Sequence, residues 1–124
     1  MKFENYNITD INGNSNCIIR TFSKLFNKSY DEILNELLDL AKSLRYDNFT
    51  EIEVFEKYLY NNNYVNYIDK DIKIKDLKLP LGKYAVFCYD KKDFYHMLPI
   101  IDNTIYDKNN ESLNLYVIKV YKEN

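Results

Sequence analysis

An α+β fold with helices first and a sheet second follows from three features of the 124-residue sequence. Apolar residues recur at helical spacing from Cys17 to about residue 60. Two Ser/Thr-x-x-Glu segments, Ser29 to Glu32 and Thr50 to Glu53, mark helix starts inside that region. From Tyr64 onward the period changes to alternation, broken by short turn signals. No repeat, linker or change of composition divides the chain, so one domain is expected.

Residues 1–13 read as an arm or short strand running into a loop at Asn12-Gly13-Asn14. The first helix is expected from Cys17 to Phe26, capped by Ser15 or Asn16, with Ile18, Ile19, Phe22, Leu25 and Phe26 on its buried face. The second follows the capping box Ser29-Tyr30-Asp31-Glu32, buries Ile33, Leu34, Leu37, Leu38, Ala41 and Leu44, and ends near Arg45. A second capping box, Thr50-Glu51-Ile52-Glu53, opens the third helix. Its buried positions are Ile52, Phe55, Tyr58 and Leu59, and Asn61-Asn62-Asn63 stops it.

Tyr64 to Ile68 alternates as a strand. Asp69 to Leu79 is compatible with a short helix or a turn around Lys75-Asp76-Leu77, and Pro80-Leu81-Gly82 is a turn. Tyr84 to Cys88 reads as a strand buried on both faces. Tyr95 to Ile101 and Thr104 to Asp107 form a hairpin about Asp102-Asn103, a pair that tolerates positive φ. Pro99 within the first of these strands implies an edge or a bulge. Leu115 to Tyr121 is the last strand, and the whole sheet is expected to be antiparallel.

Composition narrows the function classes. Seventeen Lys and Arg against nineteen Asp and Glu give a net charge of -2, without the clustered cations that nucleic-acid binding needs. The first residues are polar and carry no apolar targeting segment, and no apolar run has the length of a membrane span. Two cysteines are too few for a disulfide framework. A cytoplasmic location is the expectation. With one histidine, His96, and no ligand spacing, neither a metal site nor any other cofactor is expected.

The chemistry-bearing residues fall in an informative order. Cys17 sits where a polar run gives way to a helix, among unpaired backbone N–H groups that favour a thiolate. His96 lies on a strand. If Ile101 faces Thr104, Leu98 faces Asp107, and His96, Leu98 and Asp107 share one side of the hairpin. A carboxylate beside an imidazole fixes its tautomer and leaves its other nitrogen free for a thiol. Asn109 lies on the same side and is the alternative to Asp107 as the orienting group. Arg20, one turn after Cys17, is a candidate for raising the thiolate fraction or binding an anion. Asn12, Asn14 and Asn16 are candidates for donating to an oxyanion beside the Cys17 N–H. Cys88, in an apolar strand, is expected to be core.

These residues also resemble a family, the small phage and prophage-borne proteins of the papain-like cysteine peptidase superfamily. Asn16-Cys17-Ile18-Ile19-Arg20-Thr21 is similar to the family's Asp-Cys-(Val/Ile)-(Val/Ile)-Arg-Ala start. Lys28-Ser29-Tyr30-Asp31-Glu32, Val54 to Leu59 and the run His96 to Asp107 are similar to later family segments. Asn16 stands where the family has an acid, and Asn103 where its hairpin has glycine. The resemblance implies a papain-like fold with Cys17 as nucleophile, His96 as base and Asp107 as orienter. It implies a peptidase, amidase or acyltransferase acting on a peptide or protein, encoded by a phage or prophage. The alternative is a non-catalytic module on the same fold, such as an inhibitor of a host defence protein or a sequestering protein for a small ligand.

Overall fold

The computed structural model describes residues 1–68 and 71–124. Strand β1 (Lys2–Asn5) precedes helices α1 (Cys17–Phe26), α2 (Tyr30–Ser43) and α3 (Ile52–Asn61). Strands β2 (Tyr64–Ile68), β3 (Lys83–Tyr89), β4 (Tyr95–Ile101), β5 (Thr104–Asp107) and β6 (Tyr116–Glu123) follow, with 3-10 turns at Ile74–Asp76 and Asn110–Asn114. The fold is α+β, three helices with one six-stranded sheet in the order β1-β5-β4-β3-β6-β2. Asp69 and Lys70, the start of the ambiguous segment, lie outside the described residues. The 3-10 turn after them contains Lys75 and Asp76.

The sheet is mixed rather than antiparallel. β1 runs parallel to β5, pairing Lys2 with Thr104 and Asn5 with Asp107. That pairing covers what would otherwise be the exposed edge of a four-residue strand.

Alternation along the central strands gives the sheet two apolar faces. Ala85, Met97 and Tyr121 join the core formed with α1, α2 and α3. Val86, Cys88, Leu98, Ile100 and Val120 join a second core closed by Ile74 and Leu77, with Leu113 and Leu115 packed against it. β3 is therefore buried on both sides except near its ends and at Phe87.

Each helix departs from its sequence pattern in one respect. α1 buries Arg20, Thr21 and Ser23 as well as Ile18, Ile19, Phe22 and Leu25, so it is enclosed on most sides. Asn16 is its cap, accepting from the Ile18 and Ile19 N–H groups. α2 keeps its capping box but presents a narrower stripe, Tyr30, Ile33, Leu37 and Ala41. It packs on α1 and α3, leaving Leu38 and Leu44 exposed. The second capping box does not form. Asn48 Oδ1 takes the Thr50 N–H, and α3 starts one residue later with Glu51 as an N-cap that makes no side-chain bond. Its buried face is then Val54, Phe55, Tyr58 and Leu59, and Ile52 is exposed at the helix start.

Candidate functional site

The site lies where the start of α1 meets the start of β4. The hairpin turn has the expected form, with Asp102 and Asn103 at φ 47° and 65°, and Ile101 faces Thr104. The β4–β5 ladder then stops after the next pair, Ile100 and Ile105. Pro99 has no N–H to continue it, so the expected Leu98–Asp107 pair is not formed. On its other side β4 stays paired to β3, with Ala85 opposite Pro99 and Cys88 opposite His96. The β5-facing edge near His96 and Met97 is thus left open, and the N-terminus of α1 occupies it.

Three side chains meet there. His96 Nε2 lies 2.6 Å from Asp107 Oδ2. The imidazole also lies beside the Cys17 thiol, close enough for each to shift the other, and with Nε2 on Asp107 it is Nδ1 that is left for the sulfur. The Met97 backbone, left unpaired on this side by the interrupted ladder, also favours the thiolate. The Phe94 ring stacks on His96, centroids 5.7 Å apart, and helps hold its plane.

Asp107 is buried and surrounded by donors. Besides His96 it accepts from the Ser112 hydroxyl at Oδ2 and from the Lys108 N–H at Oδ1, 2.8 Å away. Arg20 Nη2 is 3.6 Å from Oδ1, with both side chains almost fully buried. Arg20 Nη1 holds Ser15 Oγ at 2.8 Å. The guanidinium therefore ties the loop before Cys17 to the carboxylate behind His96.

These contacts set the charge state. Burial pushes the Cys17 thiol up, but the His96 bond and charge, the Met97 N–H and Arg20 outweigh it and bring the thiol below its ordinary value. Burial pushes His96 down, and the bonds to Asp107 and Cys17 overcome it, raising the imidazole to about 9. Burial also raises Asp107, while the His96 and Ser112 bonds hold it below the usual carboxylate range. All three directions favour the charged forms, thiolate, imidazolium and carboxylate, over the neutral ones. Cys88 is the opposite case: burial pushes its thiol well up, as befits a core cysteine.

The remaining candidate residues divide clearly. Arg20 belongs to the site as an ion-pair partner. Asn16 lines a cleft beside Cys17, with its Oδ1 committed to capping. Asn12 and Asn14 lie in an exposed loop wrapped around Asp10, whose carboxylate takes their backbone N–H groups, and neither lines the clefts at Cys17. Asn109 is exposed and caps the 3-10 turn by accepting from the Glu111 N–H, so it does not orient His96. Ser112 and Met97 are the site residues that sequence reasoning missed. Asn109 followed by Glu111 is a turn-capping pattern that foreshadows the return of Ser112 onto Asp107.

Two clefts adjoin the thiol. One of about 820 Å³ runs along Arg20, Phe94, Lys108 and Glu111, and one of about 580 Å³ runs along Ile18, Ile52, Phe55 and Phe87. Cys17, Tyr95 and His96 line both. Among the described residues no cluster of His, Cys, Asp and Glu could hold a metal, and no helix is long and apolar enough to cross a membrane.

No protein-family model matches this chain, and neither the curated proteins nor the solved structures yielded a match.

Proposed function

We propose that the protein is a papain-like thiol hydrolase or acyltransferase acting on a peptide, isopeptide or related amide bond. The observation that carries this reading is the line from Cys17 at a helix start, past His96, to Asp107, with His96 bonded to Asp107, the thiol shifted down and the imidazole up.

Cys17 Sγ attacks the substrate carbonyl as the thiolate, the form that the lowered thiol favours. The oxyanion forms near the start of α1, where the unpaired Cys17 N–H and the helix dipole favour negative charge. The imidazolium gives its Nδ1 proton to the leaving amine as the C–N bond breaks, leaving a thioester on Cys17. Neutral His96 then takes a proton from water, or from an acceptor amine, as that nucleophile displaces the thiol. Asp107 keeps Nε2 protonated throughout and so presents Nδ1 to each step.

An activated ester tests this without knowledge of the substrate. With p-nitrophenyl acetate, thiolate attack forms the Cys17 thioester and releases p-nitrophenolate. The expected result is a burst of one p-nitrophenolate per chain, absent in Cys17→Ala and slowed in His96→Ala. Equal release by wild type and Cys17→Ala would overturn the reading. It would turn attention to the binding module, whose stoichiometric complex would survive Cys17→Ala.

A further inference from the structure

We infer that the bond acted on at Cys17 joins a bulky apolar group to a polar segment, the apolar group lying in the groove between α3 and strands β3 and β4. This deepens the thiol-site reading and rests on it. The two clefts that share Cys17, His96 and Tyr95 differ in chemistry.

The smaller cleft has Phe55 and Met97 as its floor, each 1% exposed. Ile52 and Tyr95, 36% and 54% exposed, stand at its mouth with the half-buried Phe87. The Phe55, Phe87 and Tyr95 rings form a continuous run, with centroid spacings of 5.2 and 5.8 Å. Apart from Cys17 and His96 themselves, the one Asp, Glu, Lys or Arg lining it is Glu51, at the rim, which disfavours an acidic group. The larger cleft presents Asp90, Lys108, Asn109, Glu111 and Asn114, both signs of charge and two amides. A polar chain of either sign finds partners there, beside the Phe94, Leu115 and Tyr116 side chains that line the same cleft.

Apolar surface left open beside a reactive thiol is the arrangement that binds an apolar substituent next to a scissile carbonyl. A substrate apolar at both ends would leave the charged cleft desolvated and unpaired. A substrate polar at both ends would waste the ring-lined groove.

Alkylation tests this apart from turnover. Iodoacetamide and N-phenethyl iodoacetamide both form a C–S bond at Cys17 and release iodide. The phenethyl group adds only an aromatic arm. Relative to the same pair of rates on free cysteine, the phenethyl reagent should gain about tenfold on Cys17 through partial burial of its ring. Ile52→Asp puts a carboxylate in the groove mouth, at a helix start that tolerates it. It should remove that gain, read as the ratio of the two reagents' rates within the variant, so that any effect of the added charge on the thiol itself cancels. No gain in wild type, or a gain untouched by Ile52→Asp, would overturn the inference while a depressed thiol midpoint kept the thiol-site reading intact. A midpoint that is not depressed would overturn that reading and the inference together.

Discussion

His96 Nε2 and Asp107 Oδ2 are 2.6 Å apart, and the Ser112 hydroxyl donates to that same oxygen. The carboxylate that orients the imidazole is thus itself fixed, by a residue in the turn that follows β5. This predicts that Asp107→Asn loses charge without much change of shape. The imidazole then falls by roughly 1–3 pKa units, the usual effect of losing a charge at this distance, and the Cys17 thiol rises as the imidazolium beside it is lost. Titration of His96 by NMR, alongside the pH profile of Cys17 alkylation, reads both shifts. Unmoved values would mean that Asp107 is a structural carboxylate only.

Ser112 supplies one of several bonds to Asp107, so its removal should be milder. Ser112→Ala should cost about 1–2 kcal/mol of stability, the usual cost of leaving a buried acceptor short of a donor. It should raise the Cys17 midpoint less than Asp107→Asn does. Urea unfolding gives the first number and alkylation the second.

Arg20 pairs with Asp107 inside the protein, at 3.6 Å, and reaches back to Ser15. Arg20→Ala removes one partner of a buried pair and should cost up to about 3 kcal/mol, with His96 still compensating Asp107. Arg20→Lys keeps the charge and loses the second arm. If Arg20 positions the site, Lys restores the thiol midpoint more fully than it restores stability. Equal recovery of both would argue for a packing role.

Linkage of the two titrations gives a less obvious prediction. His96 is raised from 6.5 to about 9, so its stabilisation is full below pH 6.5 and is lost as pH rises through about 9. Cys17 is lowered from 9.0, so its stabilisation is full above pH 9 and is lost as pH falls through the depressed value. Where the folded pair is thiolate and imidazolium and the unfolded pair is thiol and imidazole, the proton count is the same and stability is flat. Cys17→Ser removes one titration. Its stability should then fall by on the order of 1 kcal/mol as pH rises from neutral to 9, since Asp107 still raises His96. Parallel wild-type and mutant curves from urea unfolding would contradict the paired titration.

Much of this was legible in the sequence because local rules decide it. The Asn16 cap, the Ser29–Glu32 capping box and the Asp102-Asn103 turn each lie within four residues, and all three form. What escaped depends on the fold as a whole. Nothing local to Lys2–Asn5 says that it pairs in parallel with a strand a hundred residues away. Glu51 rather than Thr50 caps α3, without a side-chain bond, and Ile52 stands exposed at the helix start, at the mouth of a cleft. Alternation put His96 and Asp107 on one side of the hairpin, and they do meet. They meet by way of an interrupted ladder that also leaves the Met97 backbone facing the thiol, where it favours the thiolate. Ser112 went unseen because the turn that carries it has no apolar period.

The central claim is that Cys17 and His96 share a proton as an ion pair. It is tested most directly by the rate of Cys17 alkylation with iodoacetamide against pH, in wild type and in His96→Ala, with the modified cysteine identified by mass spectrometry. Cys88 is fully buried with its thiol pushed well up, so it should stay unmodified. The account predicts a wild-type midpoint well below the ~8.5 of a free thiol, moved to or above that value in His96→Ala. A wild-type midpoint at or above it, unchanged by the mutation, would contradict the account.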